Sequence, residues 1–185
     1  MNVAARGVFT PETEPAPGPV ALDLAPPAAR FNLRIDPVSA EAASRAFGLA
    51  LPDAIGRQAR RGGRAALRLG PDEWSLWAPE GEAEAVEAAF AAIDGDAPHS
   101  LVDVSDRETA ISLDGARSAE LLSVGCPIDL DALAVGAGTR TVFEGVQVVL
   151  RREAETRWTL EVGRSFAPFV WELLVLADRE LASGL

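Results

Sequence analysis

Ala65-Ala-Leu-Arg-Leu-Gly-Pro-Asp-Glu-Trp-Ser-Leu-Trp-Ala78 is the stretch that decides the fold. Residues Ala65 to Leu69 alternate as a strand with Leu67 and Leu69 on one face. Gly70-Pro71-Asp72 is a turn, because Pro fixes φ and Asp favours turn positions. Glu73 to Ala78 returns with Trp74 and Leu76 on one face and Trp77 on the other, which predicts a β-hairpin. Side chains alternate across a strand, so Trp74 and Trp77 cannot both face one core. One of them covers a second layer, meets a partner or lines a pocket.

Upstream of the hairpin, Phe31, Leu33 and Ile35 alternate with Arg30, Asn32 and Arg34, which predicts a half-buried strand. Ser39 is placed to cap a helix running through Phe47, and Gly48 ends it. Downstream, Val86, Ala89, Phe90 and Ile93 form one apolar stripe on a helix from about Glu80. The order β-α-β-β-α is most of a ferredoxin-like unit, and Ser100–Ser105 either completes it or opens the next unit. The second half repeats the logic. It reads as a strand from Arg107, a short helix over 116–124, a meander of three strands to about Val162, and a helix capped by Ser165. In the short helix Ala119, Leu122 and Val124 are expected to point inward. Phe166, Phe169, Val170, Leu173, Leu174, Ala177 and Leu181 give the last helix an apolar face that Trp171 and Val175 widen. A helix apolar over so much of its circumference is central or shared with a partner.

The expected fold class is therefore α+β, with two interleaved units built on antiparallel sheets. The first is ferredoxin-like (β-α-β-β-α-β) over 28–98, and the second is a strand-helix-meander-helix unit over 99–185. Residues 1–27 carry six prolines between Pro11 and Pro27 and few large apolar side chains. Such a stretch buries too little to offset its ordering entropy, so it reads as a Pro-rich arm, either disordered or ordered on a partner's surface.

Composition excludes much chemistry. The formal net charge is −11, which argues against nucleic acid. All 17 basic residues are Arg, so there is no Schiff-base or phosphate-gripping lysine. His99 is the only histidine and Cys126 the only cysteine, too few for a His/Cys zinc site or an internal disulfide. No apolar run approaches the roughly 18–20 residues of a membrane span. With no secretory signal pattern at the N-terminus, the expected compartment is the cytoplasm.

Each candidate site has a plain structural reading beside it. Asp103 and Asp106 could do acid-base work or hold a metal, but a capped strand end with an Asp–Arg ion pair explains them better. Gly136-Ala-Gly138 lacks the strand–helix setting of a dinucleotide site. Cys126 follows a helix C-terminus, where the dipole raises a thiol pKa, so it reads as structural. Arg57, Arg60, Arg61 and Arg64, with Arg68 close by, form a basic loop that is either solvated or a docking patch for an acidic partner. Trp74, Trp77 and Trp171 join that candidate partner interface, since aromatics are enriched at hot spots.

Five segments in order resemble one family: Arg68-Leu-Gly-Pro-Asp-Glu-Trp74, Leu101-Val-Asp-Val-Ser-Asp-Arg107, Gly125-Cys-Pro-Ile-Asp-Leu130, Thr139-Arg-Thr141 and Val162-Gly-Arg-Ser-Phe-Ala167. Together they are similar to the gamma subunit of heterotetrameric sarcosine oxidase. The resemblance implies a fold like the folate-binding domain of aminomethyltransferases. It implies a non-catalytic role in a complex that oxidises sarcosine to glycine, releasing hydrogen peroxide and either formaldehyde or methylenetetrahydrofolate. It further implies alpha, beta and delta subunits as partners. FAD, FMN and NAD belong to the alpha and beta subunits, zinc belongs to delta, and tetrahydrofolate is a co-substrate. No cofactor, catalytic residue or metal ligand is assigned to this chain. The alternative from another class is a free-standing folate- or pterin-binding module whose tryptophans stack on the pteridine. A third is an enzyme using Asp103 or Asp106 as base.

Overall fold

Hydrophobic alternation sorts this chain into two antiparallel sheets, each with its own core. The computed structural model describes residues 9–15 and 18–184. The strands are β1 (Ala21–Leu24), β2 (Ala28–Ile35), β3 (Gln58–Arg61), β4 (Arg64–Arg68), β5 (Glu73–Pro79), β6 (His99–Asp103), β7 (Glu108–Asp114), β8 (Gly138–Phe143), β9 (Val146–Arg152) and β10 (Arg157–Gly163). The helices are α1 (Ala40–Phe47), α2 (Ala83–Ala91), α3 (Ser118–Ser123) and α4 (Ala167–Ala182). One unit is Pro27–Ser105, and the other joins the described residues up to Pro26 to those from Asp106 onward.

The Pro27–Ser105 unit has strand order β3-β4-β5-β2-β6. Pairing of Leu33 with Trp74 and of Phe31 with Leu76 places all four on one face. Ala43 and Phe47 of α1 and Val86 and Phe90 of α2 cover that face. Each large side chain so buried contributes about 1.5–3 kcal/mol. The Trp74 indole N–H donates to Pro52 O at 2.9 Å, so its one polar atom is satisfied. Trp77 lies on the opposite face with Ala65 and Leu67 and is only 7% exposed, so the second face is buried there too.

Three expectations about this unit change. The basic segment is not a loop. Gln58–Arg61 is an edge strand, joined to β4 by Gly62-Gly63 with φ of 59° and 83°. A two-residue hairpin turn of type I′ needs positive φ at both positions, which two glycines supply. The expected boundary at 98/99 moves to follow Ser105, because β6 pairs with β2 and sets Leu101 beside Leu33 on the core face. The first turn of the α1 segment is capped by Asp36, which accepts from Val38 N, and Ser39 makes no cap bond.

The other unit has strand order β1-β7-β10-β9-β8. This retraces β6-β2-β5-β4-β3 of the first unit, with one permutation. The strand that would follow α4 is supplied from the front of the chain as β1. Part of the expected 1–27 arm is therefore a sheet strand; its residues 1–8, 16 and 17 lie outside the described residues. Leu22 pairs with Leu113, and Val20 and Leu22 are buried in the core. Gly115 is needed where the arm crosses, since a Cβ there would stand 2.4 Å from Pro19 O. Helix α4 holds the arm at two points. Its Trp171 Nε1 donates to Thr13 O at 2.8 Å, and its buried Asp178 accepts from Val20 N at 3.0 Å.

Trp158, Leu160 and Val162 of β10 face the core, as their alternation predicts. Thr159 and Glu161 are buried as well, on the other face. There Arg151 bridges Glu161 at 2.8 Å and Glu153 at 2.9 Å, with all three side chains under a tenth exposed. Helix α4 starts after Phe166 with no side-chain cap, so the Ser165 cap does not form. In α3, Leu121 joins Leu122 in the core, while Val124, expected inward, is exposed.

Burial holds the Asp178 carboxyl above its usual range, offset in part by the Val20 N–H and by Arg117. Ionisation of a group with a raised folded pKa opposes folding as pH rises through the interval above the unfolded value. Asp178→Asn keeps an acceptor for Val20, so wild type should gain stability relative to it on acidification from neutrality into the carboxylate range. Asp178→Ala loses the acceptor and should cost about 1–3 kcal/mol in urea unfolding at pH 7. Arg151→Leu removes the cation that Glu153 and Glu161 share. It should destabilise by about 3–5 kcal/mol in the same assay, and less at acid pH.

Candidate functional site

The arginine hairpin is built from residues that divide into two groups. Arg64 and Arg68 belong to the unit's own structure. Arg64 donates to Glu82 at 2.6 Å and to Phe47 O, and lies over the Phe47 ring at 5.4 Å. Arg68 donates to Asp53 O, Gly70 O and Pro71 O and lies over the Trp74 ring at 4.7 Å. These bonds fix the loop that precedes β3. Arg57, Arg60 and Arg61 are exposed. Residues 58 and 60 share the β3 face that pairs with Leu67 and Ala65, while 59 and 61 share the other. Partial burial lowers the Arg60 pKa from its ordinary value, and its side chain is engaged within the chain. Arg57 and Arg61 are the guanidinium groups most available to an outside partner.

The tryptophans do not join them. Trp74 is 1% exposed and Trp171 is 3% exposed, each inside its unit's core. All four tryptophans are spent on packing, and none presents an open ring face to a pteridine.

The remaining candidates carry structural duties. Asp103 accepts from Ser105 N at 2.7 Å and from Ser105 Oγ, while Ser105 Oγ accepts from Arg30 N at 2.9 Å. This fastens the end of β6 to β2. The ring of His99 meets Ala97 O through Nδ1 at 2.8 Å and packs edge-on against Phe90. Burial pushes the Cys126 thiol up to about 11, which leaves it protonated and unreactive at neutral pH. Among the described residues no three of His, Cys, Asp and Glu converge as metal ligands. Gly136 precedes β8, Gly138 opens it, and the next element is strand β9 rather than a helix.

A second surface emerges on α4. Its inner face buries Val170, Trp171, Leu174, Val175, Ala177 and Leu181. Phe166 and Phe169, two members of the wide apolar face, project outward at 54% and 50% exposure, and Leu176 joins them at 52%. Thr13, Phe169, Glu172, Leu173, Leu176 and Arg179 line a groove of about 370 Å³ beside them. Periodicity places Phe166, Phe169 and Leu173 on the apolar face of α4 but cannot say which part of that face meets the core.

Comparisons with known proteins agree with this geometry. Residues 33–180 match the family described as sarcosine oxidase, gamma subunit. The sarcosine oxidase subunit gamma of Corynebacterium sp. (strain P-1) is 34% identical over 145 residues, covering 77% of this chain and 70% of that one. The Arthrobacter subunit gamma is 33% identical over 161 residues, covering 84% and 78%. Among solved structures, a chain of the heterotetrameric sarcosine oxidase from Corynebacterium sp. U-96 superposes with a TM-score of 0.80 at 30% identity, covering 91% of this chain and 89% of that one. The glycine cleavage system aminomethyltransferase T from Bartonella henselae superposes at 0.68 with 16% identity, a likeness of fold alone, over 89% of this chain and half of that one. The chain belongs to the sarcosine oxidase gamma subunit family.

Proposed function

We propose that this chain works as the non-catalytic gamma subunit of a heterotetrameric, flavin-dependent sarcosine oxidase in the cytoplasm. The complex converts sarcosine to glycine, with hydrogen peroxide and either formaldehyde or methylenetetrahydrofolate as the other products. Its partners are the alpha, beta and delta subunits. These carry FAD, FMN, NAD and zinc, and tetrahydrofolate is the co-substrate. The observation that carries the reading is the family match across residues 33–180, which covers most of both units. The structural duties of His99, Cys126 and Asp103 support it, because each side chain is tied into the fold rather than aimed into a cleft.

Attachment to an acidic partner surface is the role proposed for the hairpin. Arg61 ends the edge strand β3 and Arg57 immediately precedes it, beside a turn and a loop that are already fixed, on a chain whose net charge is −11. Fixed charges of this kind chiefly raise association rates and orient the encounter.

The test is co-expression with the alpha, beta and delta subunits. The chain should co-purify with them in one stoichiometric complex, and omitting it should reduce the yield of assembled, peroxide-producing enzyme. A complex that assembles and turns over equally well without this chain overturns the reading. Within that assembly, Arg57→Glu with Arg61→Glu should slow association by roughly tenfold and flatten its dependence on salt. Stopped-flow or biolayer measurements across ionic strengths check this.

A further inference from the structure

We infer that the outward face of α4 is the seat of an amphipathic helix from a partner subunit; this rests on the subunit role proposed above. Phe166, Phe169, Leu173 and Leu176 recur at intervals of three, four and three residues. That is the spacing of a seam that meshes with another helix, whose side chains drop into the gaps between successive turns. The opposite face of α4 is already filled by its own core, so the seam is an addition to the helix's packing duty rather than part of it. Leu173 forms the partly buried floor and packs against the core, while Phe169 and Leu176 stand above it as half-exposed walls. The groove of about 370 Å³ between them takes one or two apolar side chains.

Charge and area say what kind of occupant fits. Glu172 and Arg179 rim the groove with opposite signs, so a helix carrying a cation and an anion two turns apart pairs with both in one orientation only. The half-exposed side chains amount to apolar surface on the order of 300 Å², within the range of the main apolar patch of a monomer, which is often functional. It falls well short of the roughly 800 Å² per partner that a stable two-body interface buries. A second copy docked on this stripe alone would be weakly held. One helix of a larger, multiply attached subunit fits the stripe's length and area.

The test uses the full chain and the co-expressed alpha, beta and delta subunits. Phe169→Glu with Leu176→Glu changes two exposed positions to a good helix former, so the isolated variant should unfold at the wild-type temperature. Its dissociation constant from the assembly should rise at least a hundredfold, while Val38→Glu, at an exposed site in the other unit, should leave it unchanged. A Leu176→Cys variant labelled with benzophenone maleimide, beside a native Cys126 that is buried, should crosslink to partner residues spaced three and four apart. Wild-type affinity in the double variant overturns the inference and leaves the subunit reading standing. Crosslinks without helical spacing also overturn it. If the isolated wild-type chain is a dimer by light scattering and the double variant is a monomer, the occupant is a second copy and the inference fails. If the wild-type chain joins no complex at all, the subunit reading itself fails.

Discussion

The bond between the buried Asp178 carboxylate and the Val20 N–H decides how the Asp106 unit is completed. It fixes the segment before β1 against α4, so that Leu22 can pair with Leu113 and close one side of the sheet. Without β1, the edge of β7 and the core beneath it would be open. With it, Val20 and Leu22 enter the same core as Trp158 and Trp171. The second tie, from Trp171 to Thr13, sets the arm alongside α4 and so shapes one wall of the groove there. A carboxylate buried at this junction costs desolvation free energy, which its backbone bond and Arg117 partly offset. That cost is set against the burial of Val20 and Leu22 and the pairing of β1 with β7, which the bond helps to secure.

Local chemistry was legible in the sequence, and long-range chemistry was not. The hairpin at Ala65–Ala78 and the alternation of Trp158, Leu160 and Val162 could be read because a strand's period is a property of neighbouring residues. β1 could not. A short strand in a proline-rich segment gains its stability from β7 and α4, about 90 and 155 residues away in the chain. Glu161 and Arg151 show a related limit. Alternation assigns them to the face away from the core, but says nothing of whether that face is wet, and both are buried. In the candidate interface, charge could be read and availability could not. Arg57 and Arg64 look alike in sequence, yet only one is consumed by Glu82 and Phe47. The tryptophans failed as interface candidates because a large aromatic is as valuable in a small unit's core as at a docking site.

The same division applies to the candidate reactive groups. His99, Asp103 and Cys126 each serve the packing or bonding of the fold. His99 braces a strand against Phe90, Asp103 closes a turn through Ser105, and the Cys126 thiol is pushed out of the reactive range. Two small units, each with a modest core, use their polar side chains as fasteners. The surfaces proposed for partners are Arg57 and Arg61 at the β3–β4 hairpin and the apolar seam on α4.

The two sheets also share a topology. The orders β3-β4-β5-β2-β6 and β8-β9-β10-β7-β1 follow one path, so the two units are variants of one plan. In the first, the strand after α2 returns directly to the sheet as β6, and α2 is a nine-residue helix. In the second, that place is taken by β1, which pairs with β7, and α4 is sixteen residues long. A helix of that length spans about 24 Å at 1.5 Å per residue, room for the proposed outer seam as well as a full inner face.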